Sequence, residues 1–369
     1  MTFRFLHTAD WQLGRAYGQF PPELAGVLAR ARIDAVERIR DLARGLELRH
    51  VLVAGDVWDV EEPSDETLAQ PLEIMNASGL HWWLLPGNHD PARPKGLWER
   101  VAERAGPTVH PLTEPEAVEV EPGVFVLPAP WTTKAPGRDL TEGFAERATP
   151  DGAIRIGLAH GGTVEFAADA VQSAAIAPGR AAEARLDYLA LGDWHGHQRV
   201  DERTWYAGAP EADRFPKNRP GYVLEVEVAA GAPPRVTPHE VGRYGWRREA
   251  LACRPGIDPA ADLHALVADA DARRTLLRLE LSGEVDREGR AALDAALSDL
   301  SARLAHLRVR GDVRTAYAPE DLDGLDALGG SVRVAAERLM ARIGDDALAL
   351  TEREDARRAL DLLHGFASQ

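Results

Sequence analysis

The sequence predicts an α/β layered fold, and three observations carry the prediction. Apolar runs alternate with amphipathic segments through the N-terminal part of the chain. Several of these runs end in the same unusual way, with Asp, Asn or His directly after the strand-like residues. A later stretch repeats a strand-helix-strand pattern beyond a break rich in Pro and Gly.

The first run, Phe3-Arg4-Phe5-Leu6, leads into His7-Thr8-Ala9-Asp10-Trp11-Gln12. From about Pro21 to Leu46 an apolar face passes through Leu24, Leu28, Ile33, Val36, Ile39 and Leu42, with charges between: an amphipathic helix. Strand Val51–Ala54 leads into Gly55-Asp56-Val57-Trp58-Asp59. The next helix, about Ser64 to Ala77, opens on Ser-Asp-Glu, a start signal. The run His81-Trp82-Trp83-Leu84-Leu85-Pro86 then presents Gly87-Asn88-His89-Asp90. This βαβαβ order implies partly parallel strands, and ligands of such sheets collect at the carboxyl ends.

From about Pro107 to Trp131 the pattern turns to short alternating strands, Ala117–Val120 and Val124–Leu127, broken by Pro and Gly. It predicts a second, antiparallel-rich sheet. Ile154–Ala159 leads into His160-Gly161-Gly162, and Tyr188–Leu191 into Gly192-Asp193-Trp194-His195-Gly196-His197. Trp205–Gly208 and Tyr222–Val228 read as edge or meander strands. A boundary is marked around Cys253 to Asp262 by Pro255, Gly256 and Pro259. Beyond it lie Leu276–Leu281, a helix over about Arg287–His306, and Leu307–Val313, enough for a small α/β domain. An Asp- and Gly-rich loop, Pro319–Gly330, leads to helices over about Ser331–Ile343 and Thr351–Phe366. The expected division is residues 1–250, 255–320 and 330–369.

Composition narrows the classes. With 369 residues the chain exceeds one typical core. Its single cysteine, Cys253, excludes a disulfide framework and a Cys-rich zinc site and fits a reducing, cytoplasmic setting. No signal-peptide pattern or membrane-length apolar run is read, so no membrane partner is expected. The net charge of −16 argues against wholesale coating of nucleic acid, though not against a local basic groove.

Hard and borderline divalent metals take oxygen and imidazole ligands. Asp10, Asp56, Asn88, His160, Asp193 and His195 supply that set, each on a short loop after a strand. A two-metal site needs a ligand shared between ions roughly 3.5–4 Å apart. Asp56 is the candidate bridge. His89, beside Asn88, would donate to a phosphate oxygen or protonate a leaving alkoxide. Asp90 and Asp59 read as groups that orient imidazole or backbone. A single strand-terminal Asp is most often a helix cap; the joint, ordered occurrence is what is specific.

Asp10-Trp11-Gln12, Gly55-Asp56-Val57-Trp58-Asp59, Gly87-Asn88-His89-Asp90, His160 and Gly192-Asp193-Trp194-His195 together resemble the motifs of the calcineurin-like metallophosphoesterases. Those are Asp-x-His, Gly-Asp-x-x-Asp, Gly-Asn-His-Asp, a lone His and Gly-His-x-His. The opening His7-Thr8-Ala9-Asp10-Trp11-Gln12-Leu13-Gly14 is most similar to the SbcD-type DNA repair nucleases. The resemblance implies a two-sheet αββα sandwich with a small α/β capping domain and a C-terminal helical tail. It implies two divalent ions, one on Asp10, Gln12, Asp56 and His195, the other on Asp56, Asn88, His160 and Asp193. It also implies a DNA substrate, an SbcC-like SMC-type ATPase as partner and a second copy of the chain.

Two departures stand out: Gln12 and Asp193 occupy positions where the family has His. Each puts a side-chain oxygen where imidazole is usual, which shifts the expected metal from Zn or Fe towards Mn or Mg, with Mn favoured. A different register pairs His195 with His197; aligning Gly192 with the motif's leading Gly favours Asp193 and His195, leaving His197 as a substrate contact. Arg15, Arg93, Lys95, Arg214, Lys217 and Arg219 either line a DNA groove or are solvated loop charges. Trp11, Trp58 and Trp194 either stack on a base or, the favoured reading, pack beneath the ligand loops. The last two helices dock on a partner's coiled coil or pack on the preceding domain.

Overall fold

A computed structural model describes residues 1–163, 175–215, 218–318, 320–322 and 330–367. It divides into two compact units, Met1–Tyr244 and Gly245–Gln369. The first begins with β1 (Thr2–Thr8), α1 (Pro22–Gly45), β2 (His50–Val53), α2 (Asp65–Asn76), β3 (His81–Leu84), α3 (Leu97–Arg104) and β4 (Val109–Pro111). It continues with β5 (Val118–Glu121), β6 (Val124–Ala129), β7 (Ile154–His160), α4 (Arg180–Glu183), β8 (Tyr188–Gly192), β9 (Gln198–Arg199), β10 (Thr204–Tyr206), β11 (Tyr222–Ala229) and β12 (Arg235–Glu240).

Two six-stranded sheets result, ordered β12-β11-β1-β2-β3-β4 and β5-β6-β7-β8-β10-β9. Alternation along the strands sorts side chains into three apolar layers. Leu6, Val51, Val53, Trp82 and Leu84 face α1, α2 and α3 through Val36, Ile39, Leu68, Leu72 and Val101. Their neighbours Phe5, Leu52, Ala54, Trp83 and Leu85 turn the other way and meet Val124, Val126, Ile154, Ile156 and Tyr188 between the sheets. The outer face of the second sheet, with Leu127, Leu189 and Leu191, packs against Phe144, Ala181 and Leu186. This is an αββα sandwich. The start signal at Ser64 is a true cap: its hydroxyl accepts from the Thr67 amide at 3.2 Å.

One expectation needs correction. The second sheet is not antiparallel-rich: β6–β7, β7–β8 and β8–β10 pair in parallel, and only β5–β6 and β10–β9 run antiparallel. The alternation seen at Ala117–Leu127 belongs to one edge hairpin. The segments after β6 and β7 are long enough for parallel crossovers.

The second unit holds β13 (Gly245–Cys253), α5 (Pro259–Leu266), β14 (Thr275–Val285), α6 (Arg287–Arg303), β15 (His306–Gly311), β16 (Arg314–Thr315), α7 (Gly330–Ile343) and α8 (Leu350–Ala367). Strands β13, β14 and β15 are parallel, with β16 pairing the end of β14. Leu251, Leu277, Leu279 and Leu281 bury one sheet face against Leu263 of α5 and Leu293, Ala296 and Leu300 of α6. The helical pair α7 and α8 has its own small core around Ala336 and Leu360. Among the described residues no helix is long and apolar enough to cross a membrane.

Candidate metal centre

The carboxyl ends of β1, β2, β3, β7 and β8 bring their loops to one place. Of seven non-glycine residues with positive φ among those described, four sit there: Asp10 (55°), Gln12 (45°), Asp56 (53°) and Asp193 (95°). Such backbone is unfavourable for side-chain-bearing residues and concentrates where the surroundings over-determine it, often at functional sites. The loops are pinned by backbone bonds: the Asp10 amide donates to the Gly55 carbonyl at 3.1 Å and Gln12 to Asp56 at 2.9 Å. Two glycines are required by close approach. A Cβ on Gly55 would lie 2.3 Å from His160 Nδ1, and one on Gly87 would lie 2.2 Å from Asp56 Oδ1.

Asp10, Asp56 and His160 are buried, with one donor atom from each lying within 4.8 Å of the others. His160 Nδ1 donates to the Ala54 carbonyl at 2.9 Å, which turns Nε2 into the site. There Nε2 stands 2.8 Å from Asn88 Oδ1, 3.4 Å from Asp56 Oδ1 and 3.9 Å from Asp193 Oδ1. An imidazole lone pair ringed by oxygens at these distances needs either a proton or a cation between them. Without a metal a proton answers: burial works against it, but Asp56, Asp10 and Asp193 outweigh burial and push His160 up to about 9. Asp10 moves up to about 6, driven by burial against the pull of His195 and His160. A nest of buried carboxylate, amide and imidazole donors of this kind fits a divalent cation.

The neighbouring residues hold these donors in place. Asp90, fully buried, accepts from the Gly87 amide at 2.7 Å and the Trp58 amide at 3.0 Å, tying two motif loops together. Burial, reinforced by Asp56, raises its carboxyl well above the usual range. The His89 amide donates to Asp56 Oδ1 at 3.0 Å. Its Nδ1 donates to the Asp59 carbonyl at 3.1 Å, so Nε2 is the outward nitrogen, 3.9 Å from Asp56 Oδ2.

Gln12 and His195 belong to a second cluster organised by Arg15. Its Nη1 donates to Gln12 Oε1 at 2.8 Å and to Asp59 Oδ1 at 3.1 Å, and Nη2 pairs with Asp213 Oδ2 at 3.0 Å. Asp213 Oδ1 in turn meets His195 Nδ1 at 3.3 Å and Arg214 Nε at 3.2 Å. Although burial works the other way, His195, Arg15 and Arg214 hold the Asp213 carboxyl far below its ordinary value. Arg15 and Arg214 are thus engaged within the protein. His197 is engaged elsewhere: its Nδ1 donates to the Arg219 carbonyl at 3.3 Å and its ring lies 4.5 Å from Tyr222. Arg93 pairs with Glu61 at 3.1 Å. Lys217 lies outside the described residues. Trp11 and Trp58 are buried core residues, whereas Trp194 is half-buried.

Sequence reasoning missed Asp213 and Arg32. Asp213 is an acid inside a loop that reads as basic; the acid between Ala212 and Arg214 was the available signal. Buried Arg32, from α1, donates to the Trp11 carbonyl at 2.6 Å, the Tyr17 hydroxyl at 2.7 Å and the Glu211 carbonyl at 3.3 Å. One helix thereby positions the loops that carry Asp10 and Asp213.

Among known proteins, no curated protein matches the chain. A family model, calcineurin-like phosphoesterase, matches residues 3–226. That match covers more than half of the chain, the whole second sheet, the first sheet up to β11 and every loop of the cluster just described, and the chain therefore belongs to the calcineurin-like phosphoesterase family.

Proposed function

We propose that the chain hydrolyses the phosphodiester backbone of DNA as an exo- or endonuclease of the SbcD type. It would use two divalent ions, with manganese favoured, and serve DNA repair or defence. The observation that carries this reading is the convergence of Asp10, Asp56, Asn88 and His160, with His89 Nε2 3.9 Å from Asp56 Oδ2. Asp10, Gln12, Asp56 and His195 would hold one ion, and Asp56, Asn88, His160 and Asp193 the other. Bound divalent ions supply Lewis acidity and lower the pKa of water. With Nδ1 committed to the Asp59 carbonyl, His89 presents Nε2 to a phosphate oxygen or to the departing alkoxide, donating a hydrogen bond or a proton there. The oxygens of Gln12 and Asp193 support manganese or magnesium over zinc. Leu362 and Phe366, one helical turn apart on α8, are 64% and 67% exposed, which supports docking of a coiled-coil ATPase of the SMC type.

A second reading, hydrolysis of a small phosphodiester, has one observation in its favour. A cavity of about 680 Å³ beside the loop after His89 is lined by Arg93, Trp98, Arg138 and Arg147, a size suited to a small organic ligand. Hydrolysis of single-stranded DNA and of bis-p-nitrophenyl phosphate with Mn, Mg or Zn separates the readings. The proposal expects both to be cleaved, with His89→Ala slower by about 10²- to 10⁴-fold. Cleavage of the small ester alone supports the second reading. Inactivity with every metal overturns both.

A further inference from the structure

The cavity beside the loop after His89 has the build of a binding site, yet no residue of the metal centre lines it. Its volume, about 680 Å³, falls in the range of sites that enclose small organic ligands. Much of its wall is apolar and stiff. Pro94, Pro111, Pro115 and Pro130 hold their own backbone rigid, and Trp98 and Ala102 of α3 add an apolar side.

The charges of the wall sort by depth. Glu99, Glu114, Glu142, Arg93 and Arg138 are exposed, and Asp139 is claimed by Arg180 at 2.8 Å. Arg147 is different. It is half-buried, its Nη1 donates to the Pro128 carbonyl at 2.6 Å, and its guanidinium lies 4.9 Å from the centre of the Phe144 ring. Nη2 lies 3.9 Å from the place that a Cβ on Gly143 would take, and Gly143 is itself part of the wall. Among the described residues Arg147 has no ion pair. Burial lowers its pKa, with Glu116 pulling the other way. A partly desolvated cation is costly until an anion joins it.

The same wall reaches the metal centre from behind. The Trp98 indole N–H donates to the Asp90 carbonyl. The Ala92 amide donates to the Trp131 carbonyl at 2.7 Å, and Trp131 Nε1 donates to the His160 carbonyl at 2.6 Å. One hydrogen bond thus links the wall to Asp90, and two link it to His160.

We propose that this cavity binds a small organic anion, with its acidic group on Arg147 and its apolar body against the prolines and Trp98. The occupant acts on the metal centre through Trp98 and Ala92 without entering it. A guanidinium suits carboxylate and phosphate alike, because its planar N–H donors match both. The binding claim stands apart from the hydrolysis proposed above; the effect on the metal centre rests on it.

The test uses the full chain and anilinonaphthalene sulfonate, a fluorescent dye with an apolar ring system and one acidic group. Wild type should bind it saturably. Arg147→Met keeps a stem over Phe144 but removes the charge, and should bind about tenfold more weakly or worse, the loss expected of a charged hydrogen bond. Arg147→Lys should recover part of the affinity. Ala102→Trp, on the exposed side of α3, should fill the cavity and block the dye, with unchanged thermal melting as the guard against misfolding. Decanoate or deoxyadenosine monophosphate should displace the dye, and the one that does identifies the acidic group as carboxylate or phosphate. In the manganese-loaded wild type the dye should change kcat for bis-p-nitrophenyl phosphate and leave KM alone; in Arg147→Met it should change neither. Equal dye binding by wild type and both blocking variants, or a dye that neither acid displaces, overturns the site. A raised KM at constant kcat makes the cavity the seat of the substrate and overturns it too, and constant kcat and KM overturn the coupling. A chain that binds the dye through Arg147 yet hydrolyses nothing keeps the site and sinks the hydrolysis reading instead.

Discussion

Strands β2 and β3 carry titratable side chains at both ends, and the two ends behave in opposite ways. At the carboxyl ends, Asp56 and Asn88 crowd against Asp10 and His160, oxygens and imidazole facing one another around a point where positive charge is needed. At the amino ends, His50 and His81 stack face to face with ring centroids 5.2 Å apart, and His110 of β4 stacks on Trp83 at 4.0 Å. Nearly parallel rings do not converge their nitrogens on a single point. Instead the nitrogens satisfy one another or their neighbours. Trp83 Nε1 donates to His50 Nδ1 at 3.2 Å, His50 Nε2 meets Glu121 at 3.1 Å, and His81 Nδ1 meets His110 Nε2 at 3.0 Å. One end is an unfinished charge arrangement that a cation completes; the other is a finished hydrogen-bonded network. Histidine content alone does not tell a ligand site from a core.

The largest break in this comparison should come from Asp56→Asn. The substitution keeps the oxygen that accepts from the His89 amide and removes only the charge. Metal-assisted charge stabilisation is worth several kcal/mol, and about 1.36 kcal/mol is tenfold in rate, so hydrolysis should fall by roughly a thousandfold or more. Metal-free protein should melt close to wild type, because the lost charge is a like charge to Asp10 and Asp90 but also the nearest carboxylate partner of protonated His160. Wild type should gain melting temperature with added Mn and the variant far less. A variant that loses stability as well as activity would mean that Asp56 is a structural residue.

A smaller effect is expected at Asp213→Asn. Asp213 holds His195 and Arg15 at once, and loss of such supporting groups typically costs about 10- to 100-fold in metal affinity. Isothermal titration of the metal-free variant with Mn should show this weakening while the Asp10, Asp56 and His160 group still binds. Unchanged affinity would confine Asp213 to fixing the loop.

Much of the carboxylate end was legible in the chain because its signals are local. A strand, a Gly and an Asp or Asn lie within a few residues of one another in three of the five loops, at Gly55-Asp56, Gly87-Asn88 and Gly192-Asp193, and the other two place Asp10 and His160 at or just past the strand end. The supporting groups were not legible: Arg15 reaches Asp213 and Arg32 reaches Glu211 across most of the first unit, and only folding supplies those neighbours. The sense of the second sheet was hidden too, since alternation reports which residues face the core but not whether the next strand runs parallel. Strand β13 escaped notice because Gly245-Trp246-Arg247-Arg248-Glu249 lacks an apolar rhythm.

The smallest effect sharpens the comparison from the other end. Burial, with His81 and His50 nearby, draws the His110 pKa down to about 4, and burial likewise lowers His50 against the pull of Glu121. Arg49, which shares Glu121 with His50, adds a further positive charge to this end. A second proton on the His81–His110 pair would set donor against donor across 3.0 Å. The folded state therefore binds fewer protons than the unfolded chain below an ordinary histidine pKa of about 6.5, and this contribution to stability is lost as pH falls from about 6.5 towards 4. His110→Phe keeps a ring on Trp83 but cannot titrate. At pH 7.5 it should be about 1 kcal/mol less stable for want of the bond to His81. Urea midpoints should show that gap closing on acidification, because only wild type has a proton to resist there. Parallel curves for the two proteins would mean that the imidazole stack tolerates charge, and the two ends of these strands would no longer be opposites.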